Sequence, residues 1–153
     1  MSAPATDKKT AAIKLAVVRV RGPVRVDKEI NDTLDMLHLE RVNCSTVIDG
    51  TPEAYGMLRR AKDYITYGEI DDATYKALID KRGEPFKGRL TDSRGKIQYS
   101  KFITVDGKKL KPYFRLNPPR GGYERKGIKW SFKQGGALGY RGKEINKLIM
   151  RMI

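Results

Sequence analysis

The positive charge of this 153-residue chain is confined to its second half, and this division limits how the two halves can fold. Residues 1–85 carry 14 Lys and Arg against 14 Asp and Glu, whereas residues 86–153 carry 18 basic residues against four acidic ones. The formal net charge of +14 therefore arises entirely in the second half. Concentrated like charge opposes compaction unless an anionic partner offsets it. We expect a globular first half and a second half whose side chains bind phosphates.

The remaining composition excludes several classes of protein. With 39% hydrophobic residues but no long apolar run, the chain offers no membrane span. The first ten residues lack the apolar stretch of a secretory signal. A single cysteine, Cys44, cannot form an intramolecular disulfide or a thiol pair for a metal. We therefore expect a protein of the reducing cytoplasmic compartment.

Five elements are predicted in the first half from its apolar periodicity. Runs of β-branched residues indicate strands, and apolar residues three and four positions apart indicate amphipathic helices. Thr51-Pro52-Glu53 is a strong helix start, because Thr can cap and Pro loses no needed hydrogen bond at the first helical position. The predicted order is a strand over 13–21, a helix over 27–39, a strand over 42–48, a helix over 51–62 and a strand over 64–67.

This order predicts an α+β fold in which a small sheet carries both helices on one face, a relative of the ferredoxin-like pattern. We expect residues 13–70 to form this βαβαβ core domain, after an N-terminal tail at 1–12. Asp27 is placed to cap the first helix.

Residues 71–153 are predicted to form a helix, a basic extension and a C-terminal helix. Asp71 or Asp72 caps a helix that Gly83 ends. Asp106-Gly107 suggests a hairpin turn between strands at 102–105 and 113–116. The tail, 143–153, returns to helical spacing and should dock on the body.

The stretch between these elements interleaves cations, aromatic rings and glycines. Cations neutralise phosphates, aromatic rings stack on unpaired bases, and glycines permit positive φ or a close backbone approach. Trp130 and Phe132 are alternatively core aromatics. We take the following as RNA-binding candidates: Arg115, Arg120, Arg125, Lys126, Lys129, Trp130, Lys133 and Arg141.

A second basic patch lies where the first predicted strand runs into the first helix. A helix N-terminus favours phosphate, so Arg19, Arg21 and Arg25 are further candidates, with solvated loop charge as the alternative.

No arrangement of residues suggests catalysis, a metal or a cofactor. His38 is the only histidine, and the glycines of 135–142 lack the Lys-Ser/Thr of a nucleotide loop. The basic half holds only four carboxylates, Asp92, Asp106, Glu124 and Glu144, which disfavours a metal-dependent nuclease. We expect no enzyme, no small-molecule substrate and no membrane partner.

Several motifs resemble those of the large-subunit ribosomal protein thirty family. They are Thr33-Leu34-x-x-Leu37-x-Leu39-x-Arg41-x-Asn43, Thr51-Pro52, Gly56-Met57 and Asp63-Tyr-Ile-Thr-Tyr-Gly-Glu69. The short bacterial form covers roughly residues 13–70. Later motifs resemble the longer archaeal and eukaryotic form: Phe114-Arg-Leu-Asn-Pro-Pro-Arg-Gly-Gly122, Gly135-Gly-Ala-Leu-Gly-Tyr-Arg-Gly142 and Ile145-Asn-Lys-Leu-Ile149.

The resemblance implies a three-stranded antiparallel sheet, and binding to large-subunit rRNA near 5S rRNA without chemistry. Arg41, within the first motif, joins the RNA-binding candidates. Two departures stand out: His38 replaces a glycine usual in bacterial members, and residues 84–111 match the family poorly. The short segment before Ala12 does not resemble the long basic arms of eukaryotic members, which favours an archaeal-type ribosome.

The expected function is that of a structural constituent of the large ribosomal subunit, with rRNA and neighbouring ribosomal proteins as partners. Composition alone equally permits a free-standing RNA-binding protein, such as a chaperone or regulator.

Overall fold

A computed structural model describes residues 13–153, so the predicted tail at 1–12 lies outside the described residues. The first half forms β1 (Lys14–Arg19), α1 (Lys28–Met36), β2 (Cys44–Asp49), α2 (Pro52–Arg60) and β3 (Ile65–Glu69). The second half forms α3 (Asp72–Arg82), β4 (Ile103–Val105), β5 (Lys108–Leu110), β6 (Phe114–Arg115), β7 (Gly139–Tyr140) and α4 (Glu144–Met152). All five elements predicted in the first half are confirmed, with ends shifted by a few residues.

The central sheet has five strands in the order β6-β2-β1-β3-β7. β1 lies between β2 and β3 and is antiparallel to both, with Val17 opposite Thr46 and Tyr67. The α+β class and the antiparallel three-stranded centre are therefore confirmed. The sheet is larger than predicted because β6 adds antiparallel to β2, and β7 adds parallel to β3.

Both faces of β1 are buried, which divides the interior into two cores. Successive side chains of a strand point to opposite faces. Leu15 and Val17 pack in the core beneath α1 and α2, whereas Ala16 and Val18 pack in the core that includes α4. The prediction that α1 and α2 share one face is confirmed, and α3 and α4 cover the other.

Helix α4 docks as expected and supplies much of the second core. Its side chains Ile145, Leu148, Ile149 and Met152 are all 0% exposed. Asn146 fixes the start of α3, since its Oδ1 accepts from the Asp71 backbone N–H at 3.0 Å.

Only one of the predicted helix caps forms through its side chain. The Thr51 hydroxyl accepts from the Ala54 backbone N–H at 3.2 Å. Asp27 and Asp71 occupy N-cap positions, but neither carboxylate makes the capping hydrogen bond. These two caps were wrongly predicted, although both residues do mark the helix starts.

The end of α1 has a left-handed conformation that favours glycine, and His38 adopts it. His38 has a φ of 58°, in the left-handed region. The Leu39 N–H bonds to the Leu34 carbonyl at 2.8 Å, and the His38 N–H to the Asp35 carbonyl at 3.0 Å. This is the Schellman arrangement, closed by two buried leucines, Leu34 and Leu39.

The predicted hairpin turns at Asp106-Gly107, but its second strand is β5 rather than 113–116. Within β5 only Leu110 is buried, while Lys108 and Lys109 are exposed. Phe114 instead joins the second core, and its strand pairs with β2. The prediction was wrong because burial of Phe114 in the body outweighs hairpin continuation.

Truncating Ile149→Ala should lower the free energy of unfolding by about 3 kcal/mol, because it opens a cavity in the second core. The neighbouring Met150 is 51% exposed, so Met150→Ala should cost no more than about 0.5 kcal/mol. Urea denaturation of both variants measures the difference. Equal losses would contradict the docking of α4.

Candidate nucleic-acid interface

One end of the central sheet gathers the segments that carry the predicted RNA-binding residues. β1 and β6 end here, and β2, β3 and β7 begin here. The register shows this, because the pairs that lie at this end are Arg19 with Ile65, Cys44 with Arg115 and Thr66 with Gly139. The glycine-rich loop (residues 116–138), which joins β6 to β7, therefore starts and finishes at this end. We call the exposed and half-exposed cations here the basic end: Arg21, Arg25, Arg41, Arg115, Arg120, Arg125, Lys126, Lys129 and Lys133.

Arg19 lies inside the protein rather than on its surface, with 1% of its area exposed. Its Nη1 donates to the carbonyls of Leu39 at 2.5 Å and Glu40 at 2.9 Å, and its Nε to that of Arg21 at 2.9 Å. Burial lowers the pKa of this guanidinium. Arg19 thus holds the chain between α1 and β2 against the end of β1, and we remove it from the phosphate-binding set.

Arg141 is buried too, and it fastens the glycine-rich loop to the sheet. Its Nε donates to the Thr66 hydroxyl at 2.8 Å, its Nη2 to the Ala137 carbonyl at 3.0 Å and its Nη1 to Glu124 at 3.1 Å. Burial lowers the pKa of Arg141, and the Glu124 charge opposes this effect. We therefore assign Arg141 a structural role as well.

Glu124 and Phe132 complete the surroundings of this cation. The Arg141 guanidinium lies 4.7 Å from the centre of the Phe132 ring, a cation–π contact. Glu124 also lies 3.6 Å from Arg151 of α4, so one carboxylate joins the loop, the sheet and the last helix.

Tyr123 fastens the first part of the loop. Its hydroxyl donates to the Asn43 side-chain oxygen at the start of β2, and its ring packs against both the second core and a small cluster with Val20 and Leu138. Burial raises the pKa of Tyr123 to about 12. The neutral phenol is therefore stabilised in the fold, and this contribution is lost only as the pH rises from about 10 through about 12.

The glycines of the loop serve both expected purposes. Gly135 has a φ of 89°, which favours glycine. At Gly136 a Cβ would lie 2.1 Å from the Trp130 carbonyl oxygen, so no larger residue fits without a backbone shift. The loop backbone is thereby folded back on itself.

The side chains that remain free on this loop are cations and one large ring. Trp130 is 52% exposed and is therefore not a core residue, whereas Phe132 is half-buried and its ring lies against the buried Arg141. The Lys126 ammonium lies 5.7 Å from the Trp130 ring. The exposed candidates of the loop are Arg120, Arg125, Lys126, Lys129, Trp130 and Lys133, and RNA contact stays a prediction for each of them.

Arg41 and Arg115 both line a pocket at the β2–β6 edge, together with His38, Glu40 and Tyr113. Their convergence depends on the pairing of β6 with β2, so no sequence pattern placed His38 or Tyr113 in this site. Arg115 also lies 3.6 Å from Glu84.

Arg21 and Arg25 occupy the loop after β1. Arg21 stacks over Tyr64 at 5.2 Å and donates to the Asp63 carbonyl at 3.4 Å, which keeps its guanidinium beside the start of β3. Arg25 is exposed and has a φ of 56°. Phosphate binding by this pair stays a prediction.

The carboxylates of the second half are dispersed over several elements: Asp92 and Asp106 lie in turns, Glu124 is ion-paired and Glu144 begins α4. Within residues 13–153, no three His, Cys, Asp or Glu side chains come together to hold a metal. None of the described helices has the length and apolar character to cross a membrane.

Replacing Glu124→Gln should lower the free energy of unfolding by about 3 kcal/mol, because it leaves the buried Arg141 charge without its carboxylate. Glu144→Gln is the matched control: its ion pair with Lys147 is exposed, and its loss should cost about 0.5 kcal/mol or less. Thermal and urea denaturation measure both. Equal stabilities of the two variants would show that Glu124 does not support the loop.

Comparisons with known proteins identify the family of this chain. A family model described as ribosomal protein L30p/L7e matches residues 15–65. The large ribosomal subunit protein uL30 of Methanopyrus kandleri is 46% identical, and the match covers 88% of this chain and 100% of the relative. The uL30 protein of Methanosphaera stadtmanae is 45% identical, and the match covers 90% of this chain and 99% of the relative. The uL30 protein of Nanoarchaeum equitans is 43% identical, and the match covers 90% of this chain and 97% of the relative. This chain therefore belongs to the ribosomal protein L30p/L7e family.

Proposed function

We propose that this protein is a structural constituent of the large ribosomal subunit, where it binds rRNA and stabilises its packing. The observation that carries the proposal is the basic end, where exposed cations from four separate segments stand on a backbone fixed by buried Arg19 and Arg141. Its archaeal relatives are named as large ribosomal subunit proteins. The protein works in cytoplasmic ribosomes and is not an enzyme.

Rigid presentation of the cations is what suits this surface to folded RNA. Lys and Arg side chains release counterions from phosphates when they bind, and a preformed backbone loses little conformational entropy in doing so. Trp130 offers an exposed ring on which an unpaired base can stack. The basic end therefore binds phosphates mainly, with one stacking contact.

The finer placement within the subunit also belongs to this proposal. The resemblance to the longer archaeal form supports a position near 5S rRNA, with ribosomal proteins as neighbours. Chemical probing of 5S rRNA in subunits assembled with and without the protein tests this position, and an unchanged 5S pattern would contradict it.

Replacing Lys126, Lys129 and Lys133 with Gln should weaken RNA binding and its dependence on salt. Each lost phosphate contact reduces the magnitude of the slope of log affinity against log salt by about 0.9. The slope of the triple variant should therefore be smaller than that of the wild type by about 2 to 3. A matched variant replaces the exposed Lys14, Lys76 and Lys147, which lie towards the other end of the sheet. Its slope should change by less than about 1.

Sedimentation of the wild-type protein with large subunits tests the function itself. The protein should remain on large subunits at moderate salt. Release of the protein from purified subunits under that condition, or equal salt slopes for the two triple variants, would contradict the proposal.

A further inference from the structure

Residues 84–111, which match the family pattern poorly, fold into an arm beside the β6 edge of the sheet. Its base is closed where the Lys111 N–H donates to the Glu84 carbonyl and the Phe86 N–H to the Lys109 carbonyl, both at 2.9 Å. Farther out, the Tyr99 N–H donates to the Leu90 carbonyl at 2.9 Å. The arm is therefore a backbone-paired ribbon that ends in a turn at 92–97.

The arm is strongly basic, and two of its three acids are occupied. It carries eight Lys and Arg against three Asp and Glu. Glu84 accepts from Lys111 at 2.5 Å, and Asp92 accepts from the Ser93 backbone N–H at 2.7 Å in the turn. Seven cations are exposed, and none of them pairs with a carboxylate among residues 13–153: Lys87, Arg89, Arg94, Lys96, Lys101, Lys108 and Lys109.

The arm has little apolar packing to oppose the repulsion between these charges. Phe86 and Phe102 stack on each other at 5.6 Å, and Leu110 is buried near the end of α3. Ile97 is 57% exposed and Leu90 40% exposed. Seven unpaired cations on so small a core repel one another, and an anionic partner would offset that repulsion.

We infer that the arm is a second RNA-binding element that binds the sugar–phosphate backbone of an RNA helix. This inference rests on the proposed function, which supplies RNA as the partner. The phenylalanine rings are engaged with each other, and Lys109 also lies over the Phe102 ring. Tyr99 is 36% exposed, but seven exposed cations outnumber it, so the surface of the arm is mainly cationic. Cations contact the backbone of a duplex without reading its sequence.

The arm and the glycine-rich loop lie at opposite edges of the central sheet. The arm joins the body beside Arg115 of β6, whereas Lys129 and Gly139 lie together beside β7. These strands are opposite edges of a five-stranded sheet, separated by about 19 Å at the usual strand spacing. Contacts by the arm therefore add to those of the loop and do not replace them.

The test uses the full chain and a labelled RNA duplex longer than one helical turn. Replacing Lys87, Lys96 and Lys101 with Gln should reduce the salt slope of duplex binding by about 2 to 3. The control that lacks Lys14, Lys76 and Lys147 carries the same charge, and its slope should change by less than about 1. Combining the arm and loop triple variants should add their two effects, because the surfaces are separate.

Two results would overturn the inference. One is an arm variant whose salt slope equals that of the control. The other is an arm variant that binds duplex RNA normally yet fails to enter large subunits, which would assign the arm to a protein partner. Either result leaves the proposed function intact, since that function is tested by the association of the wild-type protein with large subunits and by the salt slope of the loop variant.

Discussion

The buried guanidinium of Arg141 is the contact on which the second half of the molecule depends. It joins the Thr66 side chain of β3 to two points of the glycine-rich loop, the Glu124 carboxylate and the Ala137 carbonyl just before β7. A buried cation is costly unless it is paired and hydrogen-bonded, and here all three of its nitrogens are engaged. The apolar packing of the loop is limited to a few side chains such as Tyr123 and Leu138, so Arg141 is what fixes its return to the sheet while its cations face outward.

The central strand explains why the extension is part of the fold and not an appendage. Leu15, Ala16, Val17 and Val18 are all 0% exposed, so β1 needs cover on both faces. α1 and α2 cover one face, and α3 and α4 cover the other together with Phe114. Gly68 shows how closely the two halves meet, since a Cβ there would lie 2.0 Å from the Gly142 carbonyl oxygen. The same elements that complete the core thus position the basic end.

Local patterns predicted the first half well and the contacts of the second half poorly. β-branched runs and helical spacing located β1 to β3, α1 and α2, because each of these elements buries a periodic face. Arg19 and Arg141 were placed among the RNA-binding candidates because a buried arginine looks the same in sequence as an exposed one. β6 was assigned to the hairpin because nothing near Phe114 in sequence records its pairing with β2, which is 65 or more positions away. The sequence also does not distinguish a core Trp130 from an exposed one, because only the path of the loop decides its burial.

Hydrogen exchange of the free protein, without RNA, tests most directly whether the glycine-rich loop is preformed. The amides of Leu116, Phe132, Leu138 and Arg141 donate to the carbonyls of Asn43, Leu138, Trp130 and Tyr67. If these contacts hold the loop as described, the four amides exchange about as slowly as those of β1. Exchange of the four at unprotected rates, while β1 stays protected, would contradict the account, because the loop would then fold only on binding RNA.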